Sequence, residues 1–200
     1  MDWRGPAIML SARPQGETAV LARLMTADLG LAVAYVAGGR GRRLRPVVLA
    51  GNLVEARLAQ RGAGQLPFAE LELVHSRGPL LAEPLPAAAI AWACALTSVA
   101  LPERHPYPNL FHALDGVLAT ISLAPSARGW AGALIGYEGL LLRELGYGGA
   151  AQRPAGPLAE VLAAMDALAG PLEHYLLADR RGDVMAARQR LRDMLGRIEE

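Results

Sequence analysis

The sequence changes character near residue 80, and this change limits the folds available to the chain. Residues 1–80 contain short apolar runs separated by glycines, whereas residues 81–200 are rich in alanine and leucine at the spacing of amphipathic helices. A chain of 200 residues can bury one core or two small ones. We therefore predict two closely packed domains, 1–80 and 81–200.

The first domain reads as a small β-barrel. Its apolar runs have strand length, and turn signals such as Gly38-Gly39 and Gly51-Asn52 separate them. A five-stranded OB-type barrel fits this spacing, and a six-stranded closed barrel is the alternative. The second run also fits a helix, so periodicity leaves it open. The predicted strands are 7–13, 18–24, 31–37, 53–58 and 68–75.

The second domain reads as an all-α bundle. Prolines and glycines interrupt its apolar periodicity at the positions where helices usually begin and end. The fold class is therefore α+β by sequence order, an N-terminal OB-type β-barrel followed by a helical bundle. The predicted helices are 86–101, 109–123, 127–145, 158–177 and 183–198.

One segment of the first domain concentrates positive charge. The chain has no lysine, so all 20 of its basic residues are arginines, and four of them, Arg40, Arg42, Arg43 and Arg45, lie within six positions. The surrounding glycines predict an exposed loop. Because a guanidinium group can donate two hydrogen bonds to a phosphate at once, the loop is a candidate for binding a polyanion.

The charge of the whole chain conceals this asymmetry. The net charge is only +1, yet residues 1–80 carry ten arginines and six acids. In a small barrel, several of these arginines would line one groove or rim, as in nucleic-acid-binding domains. The candidate DNA-binding residues are Arg4, Arg13, Arg40, Arg42, Arg43, Arg45, Arg57 and Arg61.

Aromatic residues are scarce beside these arginines. Only Trp3, Tyr35 and Phe68 are aromatic in the first domain, apart from histidine, and such residues more often serve in packing. The first domain therefore has few aromatic rings for the base stacking that single-strand-binding OB proteins use. We expect binding that depends on phosphates, with weak sequence preference, tolerance of single and double strands, and steep salt dependence.

The sequence gives no support for an enzyme or a metal site. It contains no phosphate-binding loop ending in Gly-Lys-Ser and no Gly-x-Ser-x-Gly motif, so we predict no catalytic residue and no cofactor. The four histidines fall in different elements, and Cys94, the single cysteine, lies in an apolar helical run as a structural thiol. The weakly apolar segment 85–101 predicts a packed helix rather than a membrane span. We expect a cytoplasmic, nucleoid-associated protein.

The order of these landmarks resembles the RecO family of bacterial DNA repair and recombination mediators. The N-terminal part contributes an opening strand with an Arg-x-x-Gly-Glu signature, a strand leading into a basic loop, and a segment similar to the family's Pro-Gly-Asn motif. The helical part contributes a stretch similar to the family's Phe-Glu-x-x-Leu-Leu-x-x-Leu-Gly-Tyr-Gly helix and stop. The segments concerned are 3–18, 30–36, 38–43, 46–56 and 136–148.

The chain departs from the family just after this helix stop. Many members continue into a cysteine-bearing insertion that often binds zinc, whereas residues 149–154 of this chain contain no cysteine. The resemblance therefore implies a form in which the insertion is lost or shortened.

The resemblance implies a non-catalytic function. Family members bind DNA, anneal complementary strands and, with RecR, help to load the RecA recombinase onto strands covered by single-strand-binding protein. The acidic tail of that protein ends in an aromatic residue and needs an apolar pocket and a cation. Our candidates for this partner site are Leu110, Phe111, Leu114, Arg128 and Arg143.

Two other functions remain open from the residues. The barrel and bundle could form a protein-interaction adapter that binds acidic protein tails, or the barrel could be an RNA-binding OB module. Retention of labelled DNA and RNA on a filter across a salt series separates these alternatives.

We predict that the purified, tag-free chain contains no stoichiometric zinc. A structural zinc site contributes directly to folding, so a chelator lowers the melting temperature of a protein that holds one. Because we expect no such site here, a chelator should leave the melting temperature of this chain unchanged. Elemental analysis and thermal melting with and without chelator are the measurements. One equivalent of zinc per chain would contradict the prediction.

Overall fold

We describe a computed structural model of residues 2–60, 62, 64–148, 154–178 and 184–199. The chain divides into two compact units. The first comprises Met1–Pro79 and Leu101–Phe111, and the second comprises Leu80–Ala100 and His112–Glu200. Each unit is described by itself.

The first unit is built on five β-strands of the described chain. Their order in the sheet is β1-β2-β3-β5-β4, and β4 pairs again with β1. This is the strand order of an OB-type barrel, which confirms the predicted fold of the N-terminal part. The strands are β1 (Asp2–Gln15), β2 (Ala19–Thr26), β3 (Gly30–Val36), β4 (Leu53–Ala59) and β5 (Phe68–His75).

Strand β1 is long because it pairs with two neighbours. Its residues 2–8 pair with β4 and its residues 7–15 pair with β2, both antiparallel. The register shifts between Met9 and Ser11, and such a bulge bends a strand. The strand therefore begins earlier than the predicted segment 7–13, because its first residues form the edge that β4 needs.

The two ends of the sheet meet at β3 and β5 through a single parallel register pair, Tyr35 and Phe68. The Tyr35 backbone N–H donates to the carbonyl of Pro67 at 2.8 Å. The two rings lie edge to face, with their centroids 5.3 Å apart. These two aromatic residues therefore connect β3 and β5, where the barrel is partly open.

The segment left open by periodicity is strand β2. Each residue from Val20 to Thr26 has a partner on β3. Val20, Ala22 and Leu24 alternate into the barrel core, where they pack with core residues from all the other strands. Tertiary pairing decides between two local patterns that the sequence alone fits almost equally.

The remaining elements are helical. A short 3-10 helix, Gly78–Ala82, precedes the first α-helix, and a π-helix, Leu172–Leu177, follows the fourth. No helix among the described residues combines the length and the apolar character needed to cross a membrane. The α-helices are α1 (Pro84–Ala100), α2 (Pro108–Leu123), α3 (Ala127–Glu144), α4 (Leu158–Pro171) and α5 (Val184–Glu199).

The predicted single helix over 158–177 is wrong in its second part. Helix α4 ends at Pro171, and the six following residues form the π-helix. Proline lacks the N–H that an interior helical position donates, and its ring crowds the preceding turn. The wider turn that follows accommodates this disruption.

A buried polar cluster joins the helices of the second unit. The carboxylate of Glu138 on α3 accepts hydrogen bonds from Trp92 Nε1 at 2.7 Å, from Arg188 Nε at 2.9 Å and from Arg188 Nη2 at 2.6 Å. Arg188 on α5 also donates to the carbonyl of Met165 on α4. Burial raises the pKa of the Glu138 carboxyl, and the hydrogen bonds from Arg188 and Trp92 offset part of that rise.

We predict that Arg188→Met destabilises the chain by about 3–5 kcal/mol, because it leaves a buried carboxylate without its cation. Arg192→Met is the matched control on the same helix. Arg192 also binds a carboxylate through two nitrogens, that of Asp166 at 3.0 and 2.8 Å, but both side chains are partly exposed. Its loss should cost less than about 1 kcal/mol. Denaturant unfolding measures both values.

The penalty in the Arg188→Met variant should depend on pH. Without Arg188, only the hydrogen bond from Trp92 opposes the effect of burial, so the folded-state pKa of Glu138 lies further above the unfolded value of about 4.3. The Arg188→Met variant therefore keeps this part of its stability at low pH, where the Glu138 carboxyl is protonated. It loses this stability as pH rises through the folded-state pKa of that carboxyl. We therefore expect a smaller penalty at low pH than at neutral pH, and equal penalties would contradict the buried, unpaired carboxylate.

Candidate nucleic-acid interface

The arginine-rich segment lies between β3 and β4 and is anchored on the barrel. We call residues 38–46 the arginine loop. Gly38 has φ +67°, and a Cβ at Gly39 would lie 2.6 Å from a Val20 methyl carbon, so the loop leaves β3 in close contact with β2. Leu44 packs against the barrel core, which also contains Val47. These apolar contacts attach the loop to the barrel.

The backbone of the loop is compact. The N–H of Gly41 donates to the carbonyl of Gly38 at 2.8 Å, and the N–H of Arg45 donates to the carbonyl of Gly41 at 2.9 Å. The sequence predicts an exposed loop, and the structure adds that its backbone is a series of hydrogen-bonded turns. Because these turns already order the backbone of the loop, the loop loses less conformational entropy when its arginines bind a ligand.

Asn52 fixes the chain where it leaves this segment. Its buried side-chain amide donates to the carbonyls of Pro46 at 2.8 Å and Val47 at 3.0 Å, and its Oδ1 accepts the backbone N–H of Arg77 at 2.8 Å. The sequence pattern assigns no role to this side chain. The signals for it are the Gly51-Asn52 turn and the similarity of segment 46–56 to the family's Pro-Gly-Asn motif, and neither reveals what the amide binds.

Arg40 is exposed at the surface and also makes hydrogen bonds within the fold. Its Nη1 donates to the carbonyls of Gly16 at 3.2 Å and Glu17 at 2.9 Å, and its backbone N–H donates to the carbonyl of Thr18 at 2.9 Å. These contacts tie the loop to the turn between β1 and β2. Part of the donor capacity of Arg40 is therefore used within the protein.

The other three loop arginines differ from Arg40. Arg42, Arg43 and Arg45 are exposed, and their side chains make no hydrogen bond or ion pair with the described residues. Arg13 is also exposed, near the β1–β2 turn that Arg40 contacts. The registers put Pro14, Val20 and Val36 in one row, so Arg13 lies at the end of the barrel from which the loop leaves.

Arg4 and Arg57 belong to a different surface. They lie opposite each other on β1 and β4. Arg4 pairs with Glu55 at 3.0 Å, and Arg57 donates two hydrogen bonds to Asp2 at 3.2 and 3.3 Å. These bonds from Arg57 hold the pKa of the Asp2 carboxyl below its usual value.

This second surface, which we call the paired face, has a surplus of acids. Its cavity of about 350 Å³ is lined by Arg4, Arg57, Glu55, Glu70, Glu72 and Leu71. Two arginines among three carboxylates, with Asp2 beside them, do not attract a polyanion. The structure thus separates Arg4 and Arg57 from the loop, and Arg61 lies outside the described residues.

The predicted partner-site residues differ in exposure. Leu110, Phe111 and Leu114 are buried, so their side chains are not presented to solvent. Arg128 and Arg143 are exposed. Arg128 donates to the carbonyl of Ile198 at 3.1 Å, and Arg143 lies 3.8 Å from the carboxylate of Glu144.

The residues described do not fit the family's zinc centre. No group of three or more His, Cys, Asp or Glu side chains in the described ranges is arranged to hold a metal ion. The single cysteine, Cys94, is buried in α1. Zinc sites of this kind need several thiolate or imidazole ligands, and one enclosed thiol does not supply them.

The fold and the loop together define a class of protein, an OB-type barrel with an exposed arginine loop followed by helices. The family model for the N-terminal domain of recombination protein O matches residues 1–77, and the model for its C-terminal domain matches residues 83–156. The chain belongs to the RecO family. The resemblance stated from the sequence is therefore confirmed.

Curated relatives carry the name DNA repair protein RecO. The protein from Gluconacetobacter diazotrophicus is 42% identical over 151 residues, which cover 74% of this chain and 59% of that protein. The one from Rhodospirillum centenum is 46% identical over 149 residues, or 74% of this chain and 58% of that protein. The one from Granulibacter bethesdensis is 39% identical over 156 residues, or 78% and 62%. The chain spans about three fifths of the length of these relatives.

We predict that the loop and the paired face respond differently to substitution. Replacing Arg42, Arg43 and Arg45 by alanine should reduce the slope of log affinity for single-stranded DNA against log salt. The expected reduction is about 0.7 for each phosphate interaction that the substitutions remove, or about two units in total. The matched control is Arg4→Ala with Arg57→Ala, which removes arginines already neutralised by carboxylates. This control should change the slope little. Binding titrations across a salt series measure both slopes.

An unchanged slope in the triple variant would remove the loop from the interface. An equal reduction in the double variant would show that ion pairing does not withhold Arg4 and Arg57 from DNA. Thermal melting of each variant separates a binding effect from unfolding.

Proposed function

We propose that this chain is a non-enzymatic DNA-binding mediator of recombination in DNA repair, and that it binds single and double strands through the arginine loop. The observation that carries the proposal is the set of three exposed arginines, Arg42, Arg43 and Arg45, on an anchored loop. Their guanidinium groups can meet phosphates without first breaking a contact within the described chain. Membership of the RecO family supports the same role.

We further propose that the chain anneals complementary strands. Two strands repel each other through their phosphates, and a surface that neutralises phosphates without reading bases lowers this repulsion. The loop carries arginines and no aromatic residue, so it supplies charge without base recognition. In this proposal Arg40 and Arg13 extend the cationic surface at the same end of the barrel.

The partners follow from the family resemblance and are proposals for this chain. They are RecR, the acidic tail of single-strand-binding protein, and the RecA recombinase that is to be loaded. Exposed Arg128 or Arg143 could meet the carboxylate at the end of the tail. The apolar part of such a site would need side chains other than the buried Leu110, Phe111 and Leu114.

The decisive experiment compares nucleic acids. We expect the chain to retain single-stranded and double-stranded DNA of unrelated sequence on a filter, with affinity falling steeply as salt rises. It should also accelerate the annealing of complementary strands, and the triple loop variant should lose this acceleration. A strong preference for RNA would favour the RNA-binding alternative. Failure to bind any nucleic acid at low salt would leave the protein-interaction adapter.

A further inference from the structure

Tyr147 is held at the end of α3 by its backbone. The N–H of Tyr147 donates to the carbonyl of Leu142 at 2.9 Å, and the N–H of Gly146 donates to that of Arg143 at 3.0 Å. These two bonds form the glycine-dependent stop called a Schellman motif, and Gly146 has the required left-handed φ of +87°. The tyrosine is thus fixed by hydrogen bonds rather than carried on a loose turn.

Tyr175 is placed by the π-helix after Pro171. In this element Leu172, Leu176 and Leu177 are buried, whereas His174 and Tyr175 are exposed. The buried leucines attach the element to the second unit. Single π turns of this kind occur often at functional sites, where they redirect side chains.

The two tyrosines stack on each other at the surface. Their ring centroids are 4.9 Å apart with 15° between the ring planes, and the two residues are 47% and 48% exposed. The ring of His174 meets that of Tyr175 edge to face at 4.7 Å. The remaining tyrosines, Tyr35, Tyr107 and Tyr137, are half-buried or buried. We call Tyr147, Tyr175 and His174 the aromatic cluster.

An exposed, ordered aromatic stack is a surface on which a further flat ring can stack. Tyrosine offers a large rigid ring at small entropic cost, and nucleic-acid bases stack on such rings in single-strand-binding proteins. A base inside a duplex already has both faces covered by its neighbours. A surface of this kind therefore selects unpaired bases.

We propose that the aromatic cluster is a base-stacking site for single-stranded DNA on the helical unit. This inference rests on the proposed DNA binding, and it adds a contact with bases to the contact of the loop with phosphates. The exposed or partly exposed charges on the two elements that hold the cluster cancel in number, since Arg128 and Arg143 on α3 are matched by Glu144 on α3 and Glu173 on the π-helix. The cluster should therefore contribute affinity that depends on bases and little on salt.

The test compares two single strands of equal length and charge, one with bases and one abasic throughout. The full chain should bind the strand with bases more tightly. Tyr175→Ala should weaken binding of that strand by about fivefold or more, leave the abasic strand unaffected, and keep the salt slope. Tyr175→Phe preserves the ring and should behave as the unsubstituted chain. Leu123→Ala removes another exposed apolar side chain of the helical unit and should also have no effect.

A second measurement locates the contact directly. Single-stranded DNA carrying 5-iodouracil should crosslink on irradiation to the peptides that contain Tyr147 or Tyr175. Thermal melting should show that Tyr175→Ala and Tyr175→Phe are both folded at the temperature of the binding assay, so that a loss of binding is not a loss of folding.

The outcomes separate the two proposals. If the unsubstituted chain binds neither strand, the proposed DNA binding fails and this inference fails with it. If the chain binds DNA but Tyr175→Ala keeps the original preference for the strand with bases, only the stacking site is overturned.

Discussion

The pairing of β1 with two neighbours is the constraint on which the barrel and its loop depend. Its residues 2–8 pair with β4 and its residues 7–15 with β2, and the register shifts between Met9 and Ser11, just after the part that pairs with β4. At this bulge the N–H of Met9 donates to the carbonyl of Asn52 at 2.9 Å, and the N–H of Gly51 donates to the carbonyl of Met9 at 2.8 Å. The point where β1 bends is therefore also the point where the segment after the arginine loop rejoins the barrel.

The same topology divides the arginines into those used by the fold and those left for a ligand. On the paired face, the register brings Arg57 opposite Arg4 on one side and Glu70 on the other, and carboxylates neutralise both guanidinium groups. In the loop, Arg40 donates hydrogen bonds to two backbone carbonyl groups. The other loop arginines, Arg42, Arg43 and Arg45, are exposed to solvent. Counting arginines overstates the cationic surface, because exposure and pairing decide which charges attract a phosphate.

The sequence predicts the strands and most helices closely because alternation and glycine turns are local signals. It also places the arginine loop correctly between two strands. It does not distinguish Arg4 from Arg42, because Arg4 pairs with Glu55 through a strand register that joins residues far apart in sequence, and no local pattern reveals that pairing. The π-helix escapes prediction for a related reason: Pro171 indicates a disruption, but local periodicity does not specify which wider turn replaces the α-helix. The stacking of Tyr147 is likewise hidden in the sequence, since its partner Tyr175 lies far along the chain.

Two adjacent polar residues of α3 show how buried polarity organises the helical unit. Tyr137 shares a hydrogen bond of 2.6 Å with Thr97 of α1, and burial raises the pKa of its hydroxyl. Glu138 binds Trp92 of α1 and Arg188 of α5. A buried polar group without partners is costly, so these bonds select one arrangement of the helices. The residues matched by the family models end at 156, and Arg188 lies beyond them. Its guanidinium links α5 to α3 through Glu138 and to α4 through the carbonyl of Met165, and without it the buried carboxylate would lose its cation.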